Sequence, residues 1–247
     1  MLPKHLKRAG IGDVGRPGFR YTAWRGPAFG LMAALLSSVG LLGAAPTNSE
    51  CLECHSEKGL VKTNLAGKAV SLTVDEKHFK VSVHGELSCT DCHQDIKDVP
   101  HPESLAPVKC AGCHPDIDKE YSRSVHGESK SHGPSAAAGC VDCHGKHEIR
   151  KVKDPESPVF KMNLPRTCAT CHNNGDLTRE YRIKYPDAAS QYAESIHGRA
   201  LLKLGLIVAP SCNDCHGVHN IRRTVDRSSP INHGNVAKTC GKCHVSV

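Results

Sequence analysis

Apolar positions cluster in a few places along the chain. Residues 28–45 read AFGLMAALLSSVGLLGAA without a charge. Residues 69–84 alternate, with Val70, Leu72 and Val74 and then Phe79, Val81 and Val83, which predicts a small hairpin. Residues 187–204 repeat with a helical period. Ala189, Ala193, Ile196, His197, Ala200 and Leu204 fall on one face, with Asp187 as N-cap and Gly205 as C-cap. Asp154-Pro155-Glu156-Ser157-Pro158 and residues 226–230 read as loops. Elsewhere the pattern predicts only short turns.

The first of these segments follows a basic, turn-rich stretch. Lys4, Lys7, Arg8, Arg16, Arg20 and Arg25 stand against Asp13 alone. A positive region before an apolar run is an export signal or an N-terminal membrane anchor, so residues 1–45 form a targeting segment and the rest is exported. Gly43 and Ala45 suit cleavage, whereas Pro46 disfavours it. Most of the net charge of +7 belongs to this segment. No basic stripe interleaved with aromatics remains to bind nucleic acid.

Composition changes the picture more sharply. Apolar residues make up 38% and aromatic residues 4%, with 14 Cys and 17 His. Outside 28–45 that is too little apolar side chain for a protein-only core. Every Cys falls in a Cys-x-x-Cys-His frame. The frames are Cys51/Cys54/His55, Cys89/Cys92/His93, Cys110/Cys113/His114, Cys140/Cys143/His144, Cys168/Cys171/His172, Cys212/Cys215/His216 and Cys240/Cys243/His244. On one helical turn, residues i, i+3 and i+4 share a face. Two thiols can therefore add to the two vinyl groups of one haem while the His reaches its iron. Zinc ribbons and disulfide frameworks do not require a His after every second Cys. A thioredoxin-like dithiol needs one such pair in a βαβ setting. Seven frames predict seven covalently attached haem c groups, which would serve as the core. The predicted fold class is irregular chain and short α-helices packed around covalent haems, with little β.

The chain repeats itself. Residues 140–172 and 212–244 align without a gap and about half of the paired positions are identical. The matches include Gly145/Gly217, His147/His219, Ile149/Ile221, Arg150/Arg222, Asp154/Asp226 and Asn163/Asn235. An aromatic-x-x-Ser-[Val/Ile]-His-Gly segment recurs at Phe79–Gly85, Tyr121–Gly127 and Tyr192–Gly198. Residues 46–247 thus divide into a lone frame at 51–55 and two-frame units at about 79–114, 121–172 and 192–244, a modular array.

Nine histidines lie outside the frames and the targeting segment, which holds His5. His84, His126 and His197 recur in the repeated segment and are candidate distal iron ligands. The Gly after each lets backbone approach a haem plane, or else caps a helix beside a surface His. His147 and His219 follow a frame His by three residues, too close to reach the far side of their own haem. They are expected to ligate a neighbouring one, with His101 in the same part for the first unit. His78, His132 and His233 compete for the seventh position. Only Val245, Ser246 and Val247 follow His244. The haem of Cys240 and Cys243 is therefore expected to take His233 or a partner chain's ligand, unless the chain is a fragment.

These frames and Ser-x-His-Gly segments resemble the periplasmic multihaem c-type cytochromes with doubled Cys-x-x-Cys-His motifs, of the cytochrome c3-like kind, over residues 51–244. The resemblance implies close-packed haems that pass electrons between redox partners, such as a quinol-linked donor and a downstream cytochrome or reductase, with no catalytic residue. The setting it implies is periplasmic, or the outer face of the cytoplasmic membrane, in anaerobic respiration. Two rivals stay open: an anchored quinol-oxidising subunit, and a terminal reductase with one open-site haem. Relatives of the latter kind replace a frame His by Lys, and no Cys-x-x-Cys-Lys occurs here.

Overall fold

The computed structural model describes residues 45–64, 67–133 and 136–245. The targeting segment, apart from Ala45, and His5 lie outside them. Twelve α-helices of four to nine residues, one 3-10 turn and one two-stranded antiparallel sheet make up the described chain. No helix among the described residues is long and apolar enough to cross a membrane.

The helices are short because most of them serve one Cys-x-x-Cys-His frame. Frames occupy or border Asn48–His55, Cys89–Cys92, Cys140–His144, Leu164–His172, Cys212–His216 and Val236–Cys240, and the 3-10 turn Cys110–Gly112 carries the third. Four frames start alike. The residue before the helix donates its N–H to an acid three positions on: Thr47 to Glu50 at 2.7 Å, Ser88 to Asp91 at 2.8 Å, Gly139 to Asp142 at 2.7 Å and Ser211 to Asp214 at 2.7 Å. Three of these acids are the Asp between the two Cys. A side chain that recaptures the N-cap amide lets a helix of one or two turns begin, where nucleation alone would be unfavourable.

Two predicted elements differ in detail. The hairpin expected within 69–84 does not form: Ala69–Ser71 pairs back with Val61–Thr63 instead. The second half of the alternating stretch is the helix Glu76–Lys80, which Asp75 caps by accepting from the His78 N–H at 3.0 Å. The expected helix over 187–204 is two helices, Ala188–Glu194 and Ile196–Leu202. Ser195 between them is extended (φ −68°, ψ 164°) and its Oγ accepts from the Gly198 N–H at 3.0 Å. A serine that caps a new helix competes with helix continuation. The break redirects the faces: Leu201 is fully buried, whereas Ile196 and Leu204 are more than 70% exposed. Asp187 sits in the left-handed region at φ 63° and makes no side-chain cap bond.

The aligned repeats share several side-chain bonds. Arg150 pairs with Asp154 and Arg222 with Asp226, both at 3.1 Å. Thr167 and Thr239 donate to the carbonyls of Pro158 and Pro230 at 2.6 and 2.7 Å. Asn163 and Asn235 donate to the carbonyls of Ser157 and Ser229, both at 2.9 Å. Only four apolar residues are buried among those described: Ile96, Ala189, Leu201 and Ala209. Such a small set cannot hold a chain of this size together.

Candidate haem sites

The side chains around the frames follow one plan. Six imidazole rings from outside the frames each face one frame imidazole. The pairs and their centroid separations are His55–His101 at 5.9 Å, His84–His114 at 6.0 Å and His93–His147 at 6.3 Å. His126–His172 and His144–His219 lie at 6.2 Å, and His197–His244 at 6.0 Å. The interplanar angle runs from 7° to 71° while the separation scarcely moves. Rings in direct contact would change separation as they change from stacked to edge-on. Two imidazoles on one axial metal rotate freely about a shared axis and keep their spacing. Metal–nitrogen bonds of about 2 Å, with about 1 Å more from nitrogen to ring centre on each side, give roughly 6 Å between centroids. The donor set and its spacing fit haem iron.

The pairing has a rule. His84, His126 and His197 face the second frame of their own unit. His147 and His219 face the first frame of the unit before. His101 faces the lone frame at 51–55. Each unit is thus closed partly by the next one.

The same junctions carry a backbone bond. The Val83 N–H donates to the Ile149 carbonyl, and the Val125 N–H to the Ile221 carbonyl, both at 2.8 Å. The donor precedes a Ser-x-His-Gly histidine, and the acceptor lies two residues after His147 or His219. Ile149 and Ile221 were visible in the sequence as matched positions, but their role was not. Lys161 adds an ion pair to Asp214 across the later junction at 3.2 Å.

Each recurring position of the repeated segment acquires a use from geometry. The Tyr121 and Tyr192 hydroxyls donate to the carbonyls of Ala138 and Pro210, two residues before a frame, at 2.7 and 2.8 Å. Ser124 and Ser195 cap the following helix. The glycine also stands at a close approach of backbone to backbone. A Cβ on Gly127 would collide with the Tyr121 carbonyl, and on Gly198 with the Tyr192 carbonyl. On Gly85 it would strike the Lys80 carbonyl. The glycine permits one helix to fold back on the chain before it, and so aims the preceding His.

The frame cysteines differ in exposure. Cys54 is exposed, as are Cys92, Cys113, Cys140, Cys240 and Cys243, while the other eight are half-buried and none is fully enclosed by protein. The helix of Cys54, Asn48–His55, buries no residue. The Cys54 thiol, read from sequence as a haem attachment point, stands at the surface beside the half-buried Cys51. All fourteen thiols are free of disulfides, and so available for thioether bonds.

Consecutive frames adjoin in sequence order. Burial and a hydrogen bond with Cys51 push the Cys89 thiol up to about 11. Cys92 and Cys140, though exposed as residues, keep their sulfurs close to an adjacent frame and partly desolvated. This desolvation raises Cys92, with Asp91, Cys110 and Cys113 adding to it. Desolvation and then Cys110 raise Cys140, and burial, Asp142 and Cys171 raise Cys143. A hydrogen bond between Cys168 and Cys212 raises the former and lowers the latter. Burial, Asp214 and Cys240 raise Cys215. The seven frames therefore form one unbroken string.

Burial lowers His93, His126, His144, His147, His172 and His216 below the ordinary histidine value. This favours the neutral imidazole, the form that binds a metal. The Nδ1 atoms of His55 and His101 lie 2.8 Å from the carbonyls of Leu72 and Pro102. A proton held there leaves Nε2 as the donor.

The three remaining histidines face no other histidine ring. His78 lies exposed with Nδ1 3.3 Å from Asp75, His132 Nδ1 lies 2.6 Å from the Glu128 carbonyl, and His233 is exposed. The expected shortage of a distal ligand falls elsewhere than predicted. His244 is faced by His197, and the frame histidine with no facing ring among the described residues is His216. The distance along the chain misled: His197 precedes its frame by more than forty residues, yet the unit folds back to bring them together.

Residues 58–172, which carry four of the frames, match the model of the class III cytochrome c family. No solved structure matches the chain. Short helices, frame after frame of Cys-x-x-Cys-His and imidazoles paired at a metal's spacing agree with that match over residues 58–172, and the chain is a multihaem c-type electron-transfer cytochrome.

Proposed function

We propose that residues 46–247 attach seven haem c groups and relay electrons between redox partners outside the cytoplasmic membrane, in anaerobic respiration. The lone frame at 51–55 and the units at about 79–114, 121–172 and 192–244 are the parts of this relay. The observation that carries the reading is the set of six imidazole pairs at 5.9–6.3 Å. In it each Cys pair bonds one porphyrin and the following His binds its iron, with His84, His101, His126, His147, His197 and His219 as distal ligands. Haem iron, when bound, supplies a one-electron couple.

The chain's own residues do the rest. The frames adjoin in sequence order, which supports transfer along a single path with the frames at 51–55 and 240–244 at its ends. Two imidazoles per iron leave six positions closed to substrate, which supports carriage over catalysis. A quinol-linked donor and a downstream cytochrome or reductase are the partners this suits. Export follows from the basic-then-apolar pattern of residues 1–45.

The test is intact mass of the chain made with a c-type maturation system in an exporting host. Its mass should exceed that of the processed polypeptide by seven haems. Free thiols or bound zinc at a frame would overturn the reading. Membrane fractionation distinguishes a released carrier from an anchored one.

A further inference from the structure

Each junction between units is made by the same two contacts. A histidine from the later unit faces the first frame of the earlier one, as His147 faces His93 and His219 faces His144. Two residues on, an Ile carbonyl accepts the N–H that precedes the earlier unit's Ser-x-His-Gly histidine, as Ile149 does for Val83 and Ile221 for Val125. The last unit repeats the receiving half of this interface. Its first frame is Cys212/Cys215/His216, and its Ser-x-His-Gly segment puts Ile196 where Val83 and Val125 stand.

Neither half is used among the described residues. No histidine ring faces His216, and the Ile196 N–H has no acceptor. The Ile196 side chain is 77% exposed, whereas Val125 is half-buried against the next unit. Both donor segments of the chain, 145–150 and 217–222, are already engaged. A second copy would have to break an existing junction to supply one.

The geometry points to a docking site on the last unit, formed by His216 and the Ile196 amide, for a His-x-Ile segment of another c-type haem protein, whose imidazole would complete the His216 iron. Such a partner would be joined to the string at the sixth frame through the same contacts that join the units to one another. A shared ligand sets both distance and orientation between two redox proteins, which suits electron exchange. This inference rests on the seven-haem reading.

The test uses the full haem-loaded chain in its ferric form. Its probes are free imidazole and a blocked hexapeptide with the sequence of residues 145–150, Gly-Lys-His-Glu-Ile-Arg. Without a probe, about one haem in seven should be high-spin by visible and electron paramagnetic resonance spectra. The hexapeptide should convert it to low spin at a concentration about tenfold below that of imidazole, since it adds a backbone bond to the imidazole. A tripeptide of residues 145–147, lacking the Ile carbonyl, should act like imidazole, and the hexapeptide with Ala for His should do nothing.

Ile196→Pro should abolish the tenfold advantage and leave imidazole binding unchanged. Proline suits that position, since it is the first of its helix and Ser195 is already extended. Seven bound haems that are all low-spin at micromolar protein, or a hexapeptide no better than imidazole, would overturn the inference and leave the seven-haem reading standing. Fewer than seven haems by mass would instead strike the reading itself.

Discussion

Gly127→Ala adds one methyl group to a buried helix residue, a change that normally favours a helix by about 0.5–1 kcal/mol. Here the sign should reverse. The new Cβ would meet the Tyr121 carbonyl oxygen and lie 2.7 Å from the Ser122 Cα. Both are backbone atoms, so no side chain can swing aside. Helix Val125–Ser131 would have to move away from residues 121–122, at an overpacking cost of about 1–3 kcal/mol. That movement pulls at three contacts together: the Ser124 cap, the Val125–Ile221 bond and the His126–His172 facing. The expected outcome is about one newly high-spin haem per chain, carbon monoxide binding at that haem after reduction, and covalent haem content unchanged. Spin-state spectra and a carbon monoxide titration of mutant and parent, with intact mass as control, measure all three. An unchanged spin state and a melting temperature equal to or above the parent's would refute the close-approach account of this glycine.

His126→Ala and His197→Ala should each open one iron, at His172 and His244 respectively, without loss of thioether attachment; carbon monoxide difference spectra read the number opened. His147→Ala and His219→Ala should open the His93 and His144 irons and also loosen a junction, so limited proteolysis between units should quicken relative to His126→Ala. Burial holds His126 and His172 below the ordinary value of 6.5, so the unfolded chain binds more protons than the folded one as pH falls through that value, and folded stability declines from about pH 6.5 downward while staying flat above it; acid titration followed by spin state checks this. Asp226→Asn should change the melting temperature little, since its pair with Arg222 is solvent-screened, and thermal melts of mutant and parent measure it.

The parts of this molecule that were legible in the sequence are those in which chemistry demands a fixed spacing. Cys212, Cys215 and His216 must sit on one turn to serve one porphyrin, and the structure makes a short helix there. The repeat of 140–172 in 212–244 likewise survives down to the Arg222–Asp226 ion pair. Spacing says nothing of depth, however: Cys54 and Cys215 hold the same place in their frames, yet one is exposed and the other half-buried. Nor did spacing disclose direction. Nothing local to His197 says that it faces His244 rather than His216, because that choice depends on a helix break at Ser195 and a close approach at Gly198. The periodicity of 187–204 was real, but Ser195 offered its own hydroxyl to the next helix, and a hydrogen bond from one side chain outweighed a weak helical preference. The Ile149 and Ile221 carbonyls were hidden for another reason: a backbone acceptor leaves no mark on side-chain identity.

The junction rule also explains how so few apolar residues can hold the chain. Leu201, Ile96 and two alanines cannot offset the entropy of ordering about 200 residues. Iron held between the paired imidazoles, as proposed, would cross-link positions far apart in sequence, His93 to His147 and His144 to His219, and so restrict the chain much as a disulfide restricts an unfolded one. Because each crossing links one unit to the next, no unit gains its full set of contacts alone. Stability and the route between frames then have a common origin. The histidine that fixes a junction also fixes how the frames on its two sides are spaced, so a substitution that loosens one must disturb the other.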